Sequence, residues 1–241
     1  MIRRLFSSAI LAGILSGLVI SLLYQFTTVP LIMEAEEFET KQSADARYKR
    51  GTDKFVVHLV HDSDPKSDQP EWEPASFVER IVYTSLTTII SGVGFALLIV
   101  SALVIRGSSG GFRIGVLWGI GGFAAFILAP AAGLPPELPG MMKADLIGRQ
   151  SWWLGTALAT AAGLWILVFS KNPSLYILAL LLLLAPHVLG APMQHSIQGS
   201  LIPAELAAKF STVSIGVNFI FWVMLGGLSA YFFRKFQPKT A

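Results

Sequence analysis

The chain has 241 residues, 53% of them hydrophobic and only 14% charged, against about 25% charged in an average soluble domain. The charges gather between long apolar stretches, so most of the chain is suited to lipid and not to water. The formal net charge of +3 comes from basic residues flanking those stretches, not from a nucleic-acid-binding stripe. The absence of cysteine excludes disulfides, thiolate nucleophiles and thiolate metal sites.

A hydrocarbon core about 30 Å thick takes about 20 apolar residues in a helix. Six windows of the chain predict such helices: 5–25, 81–105, 114–133, 152–170, 175–192 and 210–233. The expected fold is an all-α polytopic bundle, a single membrane domain over 1–241 with one long acidic outer loop over 26–80. The first window resembles a signal peptide, with Arg3 and Arg4 ahead of an apolar run. That run is long, and no small-x-small cleavage site follows before Val29-Pro30-Leu31, so a retained helix is expected. Gly13 and Gly17 in the first span, and Gly111, Gly115 and Gly119 by the third, recur at four-residue spacing. Small residues at that period let helices approach closely where no hydrophobic drive acts between them. The second span carries Thr84, Ser85, Thr87, Thr88 and Ser91, and the sixth Ser214 and Asn218. These are expected to hydrogen-bond between helices, with a polar pathway as the alternative. The fifth window is the shortest and carries Pro186, which makes it the weakest as a simple span.

Charge sorts the connections. Arg3, Arg4, Arg106, Arg113, Lys171, Arg234, Lys235 and Lys239 fall on one side with no acid among them, and all 15 acidic residues fall on the other with the remaining basic ones. By the positive-inside rule both termini are expected in the cytoplasm, with the chain in a bacterial inner membrane. No Asp, Glu, Lys or Arg falls well inside a span, which argues against a proton relay of buried carboxylates. No Walker P-loop, GxSxG elbow or HExxH helix is present, so an enzyme is not expected.

The acidic side holds the candidate ligands. The loop contains Glu34 in EAEEFE, then His58, His61, Asp62 and Asp64 in VVHLVHDSD. Imidazole and carboxylate together suit divalent first-row metals. VVHLVH reads as a short strand, which would point His58 and His61 to opposite faces, so His61-Asp62-x-Asp64 is the better chelator. His187 follows Pro186 in the fifth span, and proline beside an ionisable side chain is a usual way to build an intramembrane site. His195 and Met193 lie just beyond, with Met141 and Met142 in a neighbouring outer loop. Thioethers there would suit a softer ion.

Five blocks in chain order resemble the CbtA-type family: RRLFSSAILAGILSGLVISLLYQ with PLIMEAEEFE, WEPASFVERIVYTSLTTIISGVGFALL, LPPELPGMMKADLIGRQSWW, APHVLGAP, and PAELAAKFSTVSIGVNFIFW. The resemblance implies a membrane subunit that imports cobalt for cobalamin synthesis. No permanently bound cofactor is implied, and Co2+ is the cargo. It also implies a small single-span partner with a histidine-rich end. By position it adds Glu137, in PPELPG, to His187 and Glu34 as candidate metal ligands. Family members resemble one another in a histidine-rich first outer loop, whereas this loop has only His58 and His61. The alternatives are a non-transporting assembly subunit, or transport of another metal such as nickel or copper.

Overall fold

The computed structural model describes residues 1–38, 40, 74, 76–108, 110–141, 144–192 and 202–237. Seven helices are described: α1 (Ile2–Phe26), α2 (28–38), α3 (Phe77–Ile105), α4 (Phe112–Ala131), α5 (Leu146–Phe169), α6 (Ser174–Leu189) and α7 (Ala204–Lys235). Among the described residues there is no strand. Local chemistry sets several ends. The Ser76 hydroxyl accepts from the Glu79 N–H at 3.2 Å to start α3, the first half of a Ser-x-x-Glu capping box. The Asp145 carboxylate accepts from the Gly148 N–H at 2.8 Å to start α5, satisfying a donor the helix itself cannot.

Five of these helices (α1, α3, α4, α5 and α7) are long and apolar enough to cross a membrane. The remaining expected span is a shorter apolar helix. α6, the fifth, has only 16 residues and is about 24 Å long, short of the hydrocarbon thickness. Gly190, at φ +81°, ends it with a conformation that favours glycine. α3 and α7 run further than expected, because their first turns at the acidic end are helical but too polar for a hydropathy window. The segment 28–38 is also helical. Its Leu31 and Ala35 form a small second core with Leu138, Ile202, Leu206 and Phe210, so the start of the acidic loop is folded onto the bundle.

α1 packs mainly on α3, α4 on α7, and α5 on α6, with α7 also against α1 and α3. The main core lies where α1, α3, α4 and α7 meet, around Ala12, Ala96, Leu103, Trp222 and Leu225. The glycine spacing has its expected meaning at four positions. A Cβ on Gly17 would sit 2.6 Å from Ile89 Cα, and one on Gly13 2.5 Å from Val93 Cα. Gly115 and Gly119 pack against the α7 backbone at Gly226 and Trp222. Gly111 differs: it caps α4 at φ +141°. Within α4 the turn Ala124–Leu128 is a π-helix, and Pro130 follows it. Proline removes a backbone donor and crowds the preceding turn, which a widened turn relieves.

The candidate spans carry ionic groups only near their ends. Arg3, Arg4, Arg106, Arg113, Lys171, Arg234 and Lys235 mark one end of the bundle, and Glu36, Glu79, Arg80, Glu137, Asp145 and Glu205 mark the other. These are called the basic and acidic ends below.

Candidate functional site: a hydroxyl-lined cavity

Between α1, α3 and α7 lies a cavity of about 480 Å³. α3 lines it with Tyr83, Thr84, Thr87, Thr88, Ser91 and Phe95, α1 with Ile20 and Tyr24, and α7 with Asn218, Phe221 and Trp222. The α3 residues recur every three or four positions, so one face of that helix carries them. From Tyr83 to Phe95 the cavity follows about 18 Å of helix. It starts near the acidic end and reaches past the middle of α3. Among the described residues no carboxylate, ammonium or guanidinium lines it.

The hydroxyls divide between two roles. Ser85 pairs with Ser21 at 2.6 Å, and Thr88 donates within reach of the Gly17 carbonyl at 3.1 Å. Those contacts tie α3 to α1, as expected for hydroxyls between membrane helices. Thr88 also lines the cavity, as do Thr84, Thr87 and Ser91. The Asn218 Nδ2 donates to the Ser214 carbonyl at 2.9 Å. The Tyr24 side chain hydrogen-bonds with Asn218.

Above the cavity, the Arg80 guanidinium grips the Glu36 carboxylate with Nη1–Oε1 2.9 Å and Nη2–Oε2 3.2 Å. This two-pronged geometry clamps α2 to the first turn of α3, one turn from Thr84. Below it, Phe95, Phe126 and Trp222 form an aromatic cluster, with ring centroids 4.7 Å apart for Phe95–Trp222 and 5.6 Å for the nearly parallel Phe126–Trp222 pair. The cavity ends on this cluster, toward the basic end. A larger space of about 640 Å³ between α3, α4 and α5 is lined by aliphatic and aromatic side chains and offers little to an ion.

The candidate ligands are not gathered in one place. Glu34 is exposed on α2. His187 is exposed in the last turn of α6, its ring edge-on to Trp152 at 6.1 Å, while the Trp152 Nε1 donates to the Pro186 carbonyl at 3.2 Å. Glu137 accepts from Arg149 Nη2 at 2.7 Å, with 16% of its side chain exposed. Met141 is engaged locally, its Sδ accepting from the Leu138 N–H at 3.2 Å. His58, His61, Asp62, Asp64 and His195 lie outside the described residues. Among the described residues no three His, Asp or Glu side chains converge on a common point. Tyr24 and Tyr83 were missed by sequence reasoning, because tyrosine near a span end reads as an interfacial anchor. Arg149 was missed as the partner of Glu137.

Glu137 can be tested directly. Glu137→Gln leaves the half-buried Arg149 without its counter-charge and is expected to cost about 1–2 kcal/mol of stability, read as a lower melting temperature in detergent. Unchanged melting together with a fall in metal uptake would make Glu137 a cargo ligand instead.

Residues 2–234 match the family model described as "Probable cobalt transporter subunit (CbtA)". The chain belongs to the CbtA family. No curated protein and no solved structure matches it. As a CbtA chain it is a membrane subunit of a probable cobalt transporter, and its apolar helices fit that role. A transporter-subunit family also agrees with the expectation that the chain is not an enzyme.

Proposed function

We propose that this chain carries cobalt ions across a bacterial inner membrane through the cavity between α1, α3 and α7, with both termini in the cytoplasm. The observation that supports this reading is a cavity open on the flank of α3, whose largely apolar wall carries several hydroxyls and an amide and, among the described residues, no charged group. Neutral oxygens bind a cation weakly enough for it to leave again, which conduction requires. The acidic segment ahead of α3 raises the local cation concentration. Within it, His61, Asp62 and Asp64, with His58, act as first contacts, joined by Glu34 on α2. His187 and His195 offer imidazoles at the same side. The positive-inside distribution supports the orientation, and the aromatic cluster at Phe95, Phe126 and Trp222 is then the barrier on the cytoplasmic side.

Thr87 and Ser91 are exposed on the flank of α3. Hydroxyls facing lipid without partners are unfavourable, so another transmembrane helix covers this flank. The small single-span, histidine-rich partner implied by the family resemblance fits that place, and supply of cobalt to cobalamin synthesis is the purpose the resemblance implies.

Isotopic cobalt uptake in cells lacking other importers tests the reading. Expression of the chain with its partner is expected to raise initial uptake several-fold. Equal uptake with and without them would overturn it, in favour of a subunit that assembles or stabilises another transporter component.

A further inference from the structure

From the chemistry of the cavity wall we propose that the ion occupies this cavity as an intact aqua complex, recognised through its water shell and not by direct coordination. The proposal rests on the reading that this cavity is the cation path, and it concerns the form in which the ion is bound there.

Direct coordination of a first-row divalent ion calls for imidazole, carboxylate or thiolate ligands. Among the described residues the cavity wall supplies none of these. Its polar groups are neutral, the hydroxyls of Tyr24, Thr84, Thr87, Thr88 and Ser91 and the amide of Asn218 among them. Stripping water from a divalent ion costs far more than a few neutral dipoles return. Keeping the shell avoids that cost, and the cavity has room for it. About 480 Å³ corresponds to roughly 16 waters at about 30 Å³ each. An ion with an octahedral shell of about six waters takes less than half of that space.

The wall also presents acceptors where water bound to a cation needs them. Metal-bound water donates outward, because its oxygen is committed to the metal. Helical Thr and Ser usually turn their hydroxyls back to the carbonyl one turn earlier, as Ser8 and Thr212 do here. Thr84, Thr87 and Ser91 make no such bond and hydrogen-bond to none of the described residues. Thr88 already spends its proton on backbone carbonyls at 2.9–3.1 Å, which leaves its oxygen as an acceptor. The result is one wall of oxygens, at helical spacing along α3, able to take hydrogen bonds from a hydrated ion without touching the metal.

Hexaamminecobalt(III) tests this. It is an exchange-inert complex with the size and outward N–H donors of an aqua ion, and it cannot shed its ligands to coordinate protein. In cells expressing the full chain with its partner, it is expected to inhibit isotopic Co2+ uptake. In the Thr84→Val, Ser91→Ala double variant the concentration giving half-inhibition is expected to rise at least fivefold. That dependence separates the cavity from adsorption to the acidic segment, which the variant leaves intact. Absence of inhibition in cells that do take up Co2+, or inhibition indifferent to the double variant, would overturn the proposal. Absence of Co2+ uptake would overturn the underlying transport reading instead.

Discussion

Gly226→Leu is expected to leave little folded protein in the membrane. In lipid, α4 and α7 gain nothing from the hydrophobic effect and are held by van der Waals contact at close approach. At their crossing a Cβ on Gly226 would strike the Gly115 carbonyl and lie 2.7 Å from Gly119 N and 2.8 Å from Gly119 Cα. All three obstacles are backbone atoms, so no rotamer change can clear them and the helices must separate. Overpacking costs typically about 1–3 kcal/mol, and a leucine against rigid backbone belongs at or above the upper end. Fluorescence-detected gel filtration and melting in detergent would read the loss. Gly94→Leu is the control, because open space surrounds that glycine. Equal behaviour of the two variants would refute the close-packed crossing.

Asn218→Leu is expected to lower cobalt uptake by about tenfold or more with a normal amount of protein in the membrane. Leucine keeps the volume but removes the cavity's amide, and with it the group that meets Tyr24. One hydrogen bond to a charged species is worth about 1.5–3 kcal/mol, and each 1.4 kcal/mol or so is about a factor of ten in rate. Isotopic uptake normalised to the protein in isolated membranes measures the effect. Wild-type uptake in this variant would remove the cavity from the ion's path.

Much of the bundle was legible in the sequence, because spans are written in long apolar runs and close helix contacts in glycine spacing. Gly13, Gly17, Gly115 and Gly119 show this directly. The partner of Gly115 on α7, Gly226, was not singled out, since a contact between distant helices leaves no mark in either one alone. α6 stops at Leu189, and the backbone turn at Gly190 that stops it leaves no mark in hydropathy. The cavity was legible as a set of hydroxyls but not as a place. Thr84 and Ser85 are neighbours in the chain, yet about 100° of helix rotation separates them. One lines the cavity and the other is bonded to Ser21. Which residue does which depends on how α3 is rotated against α1 and α7, and hydropathy carries no information about that angle.

The widened turn at Ala124–Leu128 has a bearing on how α4 can be read at all. An extra residue in one turn advances everything after it by about 100° relative to an unbroken helix. Before the turn, α4 keeps its glycines against α7; after it, the helix leans on α5. Phe126, within the turn, lies at the changeover, stacked on Trp222 of α7 and 6.2 Å from the Trp153 ring of α5. α4 therefore carries two faces in different phase along a single axis, and no single helical wheel drawn over Phe112–Ala131 can display both.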